Sequence, residues 1–215
     1  MVLTYDLRQD GIIRRLHKKY IHQISELRID ILSSFALAWE QRKLGEMGST
    51  FTGLSGKTKT DFGHGEAKFV TYMNVFTNPI ADGSETENVE IDDRQRKIKY
   101  GDVFFTTSSE TPEEVGMSSI WLENKPNVYL NSFCFGWRPT VNLDPHYLAY
   151  MLRSPAVRAK FTFLAQGISR YNISKNKVME MSVPMPNLNE QKLIGGLFTA
   201  IGNLITLHQR EPCKN

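Results

Sequence analysis

Gly53-Leu54-Ser55-Gly56-Lys57-Thr58 is the segment whose residue types come nearest to reaction chemistry. It has the form of the end of a phosphate-binding loop, in which backbone N–H groups and a lysine hold the phosphates of a nucleotide. The complete pattern needs another glycine where Phe51 stands, and an apolar strand running into the loop. The stretch 44–52 is polar and carries glycines instead. Nucleotide hydrolysis is therefore not expected, and the segment reads as a flexible, basic, hydroxyl-rich loop. Asp61, Glu66 and Lys68 could in principle hold Mg²⁺ and polarise a phosphate, but their spacing is cramped, and a solvated turn over 61–66 is the simpler reading. Asn78-Pro79-Ile80 approaches an Asn-Pro-Pro-aromatic motif, yet lacks the second proline and the aromatic that would clamp a flipped base. His17, His22, His64, His146 and His208 lie apart without zinc-ligand spacing. The serines carry no nucleophile-elbow signature. No catalytic or metal-binding residue can be named.

Composition narrows the class further. A chain of 215 residues with 40% apolar, 23% charged and 11% aromatic residues has the proportions of a soluble globular protein. No apolar run reaches the roughly 18 residues of a membrane helix, and 1–10 lacks the apolar core of a signal peptide. Cys134 in an apolar run and Cys213 in the tail suggest no disulfide framework, so a cytoplasmic home is expected. The net charge of +3 is modest, but it is unevenly spread. Between Asp144 and Glu180 there is no acid, while Arg153, Arg158, Lys160, Arg170, Lys175 and Lys177 fall there. Acids cluster instead at Glu85, Glu87, Glu90, Asp92 and Asp93. Such segregation could give one face a positive potential for phosphates, or only a solvated helix face.

Three regions must position these groups: 1–38, 39–187 and 188–215. In the first, Ile13, Leu16, Tyr20, Ile24, Leu27 and Ile31 recur at helical spacing, which predicts a helix over about 10–34. In the middle region, β-rich runs at 68–76, 102–107, 119–122 and 132–138 alternate with helical patterns at 147–152 and 155–164. Pro155 suits the first turn of the second of these helices. The irregular alternation predicts an α+β domain without regular βαβ winding. In the last region, Asn187 with Glu190 has the form of a capping box. Ile194, Leu197, Ile201, Leu204 and His208 then follow in steps of three and four, a coiled-coil seam. Gly195, Gly196 and Gly202 each weaken such a helix by roughly 1 kcal/mol relative to alanine, so a packing partner is expected.

Taken in order, several segments resemble one family. Trp39-Glu40-Gln41-Arg42-Lys43-Leu44-Gly45-Glu46 looks like the opening of a target-recognition domain of a type I restriction-modification specificity subunit. The similarity continues through 52–58, Tyr100-Gly101-Asp102-Val103-Phe104-Phe105-Thr106 and Gly167-Ile168-Ser169-Arg170-Tyr171-Asn172-Ile173-Ser174. It closes with Val183-Pro184-Met185-Pro186, Glu190-Gln191-Lys192 and 204–210. The resemblance implies a mixed α/β recognition domain flanked by N- and C-terminal helices that pack as part of an antiparallel coiled coil. It implies one half of a split double-stranded DNA target read by this domain, and modification (methyltransferase) subunits docked on the helices. A restriction subunit joins through the complex. Chemistry would then lie elsewhere, with S-adenosylmethionine, Mg²⁺ and ATP bound by the partners and no cofactor by this chain. The chain departs from the pattern in having a single recognition domain, and residues 1–38 match poorly. A homodimer reading a palindromic split site would restore two-fold symmetry. The rival reading is a non-catalytic decoy that occupies the modification subunit without reading DNA.

A recognition domain positions itself on phosphates and reads base edges. On that reading Lys57, Lys59, Arg170, Lys175 and Lys177 suit phosphates, and Arg170 could instead bond a guanine and Asn172 an adenine. Tyr171 offers a flat face between them. Ser55, Thr58, Thr106, Thr107, Ser108, Ser109 and Thr111 furnish two hydroxyl-rich loops able to donate or accept in a groove.

Overall fold

The structure is a computed structural model that describes residues 39–210, with side chains described through residue 206. Its organising strand, β5, is Val103–Thr106, buried at every position. Because strand side chains alternate between faces, Val103 and Phe105 enter one core cluster while Phe104 enters another. Strands β9 (Cys134–Pro139) and β7 (Ser118–Ile120) flank β5, and β2 (Gly48–Thr52) pairs outside β9. The result is an antiparallel sheet of order β2-β9-β5-β7.

Two helices supply one side of the larger cluster: α3 (Pro145–Met151) and α4 (Pro155–Leu164). Tyr147, Leu148, Val157 and Phe161 join Phe105, Phe135 and Trp137 there. The other cluster combines Phe51, Phe104 and Trp121 with Val70, Val128 and Leu130 of a second sheet. That sheet runs β4 (Thr86–Val89), β3 (Phe62–Val70), β8 (Val128–Leu130), with β3 and β8 parallel. Each fully buried aromatic or aliphatic side chain contributes about 1.5–3 kcal/mol relative to exposure. The fold is α+β, as expected. Asp102, 1% exposed, opens β5 and receives the Arg138 guanidinium through two bonds, Nε at 2.6 Å and Nη2 at 2.7 Å. Burial with two charge-assisted bonds gives the Tyr100-Gly101-Asp102 segment a structural role.

The expected strand over 68–76 is half strand and half helix. The Thr71 side chain accepts from the Asn74 N–H at 3.1 Å and starts helix α2, Tyr72–Thr77. Such a cap outweighs the β preference of the run. The short strands β1 (Glu40–Lys43), β2, β4 and β8 carry too little alternation to be read from sequence. Between β1 and β2 lies one helical turn, α1 (Leu44–Met47), that buries Leu44 and Met47.

The capping box is present as expected. The Asn187 side chain accepts from the Glu190 N–H at 3.1 Å, and the Glu190 carboxylate accepts from the Asn187 N–H at 3.0 Å. It opens α6, Leu188–Arg210, after strand β11 (Ser182–Met185), which pairs antiparallel with β1. Buried Gln191 ties the start of α6 down. Its amide donates to the Pro186 carbonyl at 2.8 Å, and its oxygen accepts from the Asp144 N–H at 3.0 Å. Gly195 continues this approach, because a Cβ there would sit 2.6 Å from both Asp144 Oδ1 and the Tyr147 nitrogen.

The described residues fall in two compact units, Glu40–Gly195 and one comprising Trp39 with 196–210. Ile194 packs partly buried against the core of the first. Beside it Leu193, and farther along α6 Phe198, Ile201, Leu204 and Ile205, are 40–53% exposed. The apolar stripe expected of a seam is therefore on the helix. The expected N-terminal helix, and with it the coiled-coil packing, lies outside the described residues, as does the side chain of His208.

Candidate nucleic-acid interface

Beyond α4 the chain reverses in a hairpin. Gln166 and Asn172 exchange backbone hydrogen bonds at 2.9 and 2.8 Å, which closes the loop at its base. Gly167 has φ +145°, a conformation L side chains rarely adopt, and a Cβ there would collide with the Arg170 carbonyl. The returning arm, β10 (Tyr171–Asn172), pairs antiparallel with β6 (Ser108–Ser109), setting Tyr171 opposite Ser109 and Asn172 opposite Ser108. Next, Ile173 donates its N–H to the Thr107 carbonyl at 2.9 Å and buries its side chain in the main core. Two segments more than sixty residues apart, as the register numbers show, thus form one edge. On it Arg170 and Asn172 are exposed and Tyr171 is half-buried. Arg170 has no ion-pair partner among the described residues, so its guanidinium can engage a ligand.

Tyr72, which sequence reasoning missed, braces this edge from beneath. Its hydroxyl donates to the Ser108 carbonyl at 2.7 Å. Burial raises its pKa above the ordinary 10, with a Thr106 hydrogen bond and the Arg170 charge acting in the opposite sense. It is accordingly a protonated donor at neutral pH.

The hydroxyls expected to face a groove are mostly scaffold. Thr106 is 0% exposed and accepts from the Met117 N–H at 3.0 Å. Thr107 donates to the Phe133 carbonyl at 2.8 Å. Ser108 and Ser109 are buried, and Ser109 donates to Glu114 at 3.0 Å. The cause is strand pairing: β5 runs almost directly into β6, and both find partners, so what reads as a polar surface turn is enclosed.

The loop after β2 is likewise internally engaged. Ser55 is exposed and exchanges bonds with the Gln95 side chain at 3.1 and 3.0 Å. Lys57, its side chain 10% exposed, lies 3.2 Å from Asp92 Oδ2. Asp92 also receives Arg94, and that hydrogen bond above all holds its carboxyl well below the usual range. Thr58 donates to Asp61 Oδ2 at 2.7 Å and caps a single 3₁₀ turn, Lys59–Asp61. Lys57 and Thr58 therefore stabilise the loop in this structure. Lys59 is exposed, without an ion-pair partner among the described residues. A strand does precede the loop, but it is the polar β2, in which only Phe51 is buried, and a 3₁₀ turn and β3 follow the loop where a phosphate-binding loop needs a helix N-terminus. Asp61 is engaged by Thr58, Lys68 by the Asn88 side chain, and Asn78 by Asn74 and Glu85. No cluster able to hold a metal ion occurs among the described residues.

Neighbouring loops join these parts into one surface. The Leu54 N–H donates to the Leu130 carbonyl at 2.8 Å, Cys134 to Asn131 at 3.1 Å, and Thr107 to Phe133 at 3.0 Å. Loop 53–59, turn 131–133 and the β6–β10 edge thus succeed one another. Phe133, 60% exposed between them, carried no sequence signal.

The acid-free basic stretch divides. Arg153 faces inward and donates to the carbonyls of Val75, Phe76, Thr77, Asn78 and Ser118 at 2.7–3.3 Å. Burial lowers its pKa to about 10, leaving it protonated at neutral pH. Arg158 donates to Gly116, Glu113 and Val115 carbonyls and lies over Phe161, and Lys160 donates to the Ser182 carbonyl. The uniform positive face that the charge run suggested is thus only partly present. Arg170 remains available, as do half-exposed Lys175 and exposed Lys177 on helix α5 (Lys175–Met179), away from the β6–β10 pairing.

Residues 37–214 match the family model described as "Type I restriction modification DNA specificity domain". A curated relative, the putative type I restriction enzyme MjaX specificity subunit of Methanocaldococcus jannaschii, is 26% identical over 172 residues, covering 78% of this chain and 40% of its own length. Among solved structures, the HsdS subunit of Thermoanaerobacter tengcongensis aligns with a TM-score of 0.56 at 15% identity, over 96% of this chain and 50% of that one. The type I S subunit of M. genitalium aligns with a TM-score of 0.52 at 15% identity, over 77% and 39%. The structures establish likeness of fold, and the chain spans half or less of each of these proteins.

Proposed function

The chain belongs to the family of type I restriction modification DNA specificity domains, and from that premise we propose that it selects a DNA sequence for chemistry performed by partner subunits. The observation that carries this reading is the pinned 166–172 hairpin. It presents Arg170 and Asn172 on an edge held by β6, Tyr72 and the core. A donor fork and an amide on a preorganised support suit base edges, since a guanidinium matches guanine O6 and N7, and a carboxamide matches adenine N6 and N7. Lys59, Lys175 and Lys177 supply phosphate contacts that position without discriminating. The domain reads one half of a split target. The half-exposed stripe of α6 docks the methyltransferase subunit or a second copy of this chain. S-adenosylmethionine, Mg²⁺ and ATP act on those partners, and this chain binds none of them.

A decoy that only occupied the modification subunit would not need a braced hairpin with an arginine that has no ion-pair partner among the described residues. Methylome sequencing of cells co-expressing the chain and its modification subunit tests the proposal. A single methylated motif that disappears without the chain is expected. Methylation independent of the chain, or DNA cleavage or methylation by the purified chain alone, overturns it.

A further inference from the structure

Ile168 stands at the tip of the hairpin and is 97% exposed, more than any other large hydrophobic side chain among the described residues. Its position is fixed, because the Gln166–Asn172 bonds close the loop beneath it and Gly167 makes the turn that lifts it out. Its neighbours Gln166, Ser169, Arg170 and Asn172 are exposed and polar. One aliphatic side chain by itself offers far too little area for a stable protein interface, which takes about 800 Å² from each partner. It does offer the right area for a single methyl group. Beside exposed Arg170, which has no ion-pair partner among the described residues, the tip can approach a phosphate-rich ligand. A narrow loop closed by a single β-bridge can enter the major groove, where the one apolar feature of a base pair is the thymine 5-methyl group.

We infer that Ile168 reads a thymine of the target through its 5-methyl group. This rests on the DNA-reading function proposed above and deepens it. Arg170 and Asn172 select by hydrogen bonds, and Ile168 adds an apolar contact that uracil, cytosine and purines cannot make.

The test is selection from random-sequence duplexes by the full chain, with and without the modification subunit. It is followed by replacement of each selected thymine, singly, by deoxyuridine. For the unaltered protein, one position should lose about fourfold in affinity on replacement, the worth of one buried methyl group. Ile168→Ala should bind thymine and deoxyuridine duplexes alike, whereas Ile168→Val should keep the discrimination. Arg170→Ala should also keep it while relaxing selection elsewhere. Because Ile168 is 97% exposed, circular dichroism of the variants should match that of the parent. A parent indifferent to deoxyuridine at every position, or an Ile168→Ala variant that discriminates as the parent does, overturns the inference while leaving DNA reading intact. Enrichment of no sequence at all removes the function and the inference together.

Discussion

Replacing Arg153 by alanine should unfold this protein more readily while leaving its salt-dependent DNA affinity unchanged. The guanidinium donates to five carbonyls, four of them around the C-terminal end of α2 and the fifth on β7, so it fastens that helix to the central sheet. Bonds to a charged donor contribute about 1.5–3 kcal/mol each, and water reaches only some of the carbonyls once the side chain is gone. The net loss is about 3–5 kcal/mol, comparable to breaking a buried ion network. For a domain of this size each kcal/mol moves Tm by about 2–4 °C, so a drop of roughly 6–20 °C is expected. Arg153→Lys should recover only part of it, since an ammonium cannot span five acceptors. Urea and thermal denaturation measure the loss. DNA titrations across salt concentrations should show the parent's slope, because each phosphate contact removed would flatten it by about 0.9. Stability within 1 kcal/mol of the parent, combined with a flatter salt slope, would refute the reasoning and return Arg153 to the DNA-facing surface.

Asp102→Asn should lower stability by about 3–5 kcal/mol in urea titration, because it leaves the Arg138 charge without its buried partner. Gln191→Ala strands the Asp144 N–H and the Pro186 carbonyl, and should lower stability by about 1–3 kcal/mol in the same assay. The Asp92 carboxyl has a depressed pKa in the folded protein, chiefly through Arg94, so its contribution is present above the ordinary value of 3.8 and fades as pH falls below it. Asp92→Asn should therefore flatten the fall of stability with acid below about pH 4, and an unchanged acid limb would count against the Lys57–Asp92–Arg94 arrangement.

Long periodic segments were legible from sequence: α4 falls where Pro155 and the apolar spacing put it, and α6 starts at its capping box. Strands of three or four residues were not, since β1, β4 and β8 are too short for alternation to register. For the candidate interface, the Arg170-Tyr171-Asn172 segment could be singled out from sequence, but its setting could not. The hydroxyls of Thr106, Ser108 and Ser109 look like a surface turn until the pairing of β5 with β9 and of β6 with β10 encloses them. Arg153 and Arg158 illustrate the same limit, because a charge run does not show which members turn inward to carbonyls. Tyr72 and Phe133 reach the site only through tertiary neighbours, so nothing local marks them.

If the pinned hairpin chooses the site, then changing its readers should change which DNA is methylated without abolishing methylation. The decisive comparison is the methylome of cells carrying the modification subunit with either the parent chain or the Arg170→Ala/Asn172→Ala variant. The expected result is a motif relaxed at one or a few adjacent positions in one half of the target, with methylation still dependent on the chain. An unaltered motif, methylated to the parent's extent by a variant that folds normally, would contradict it.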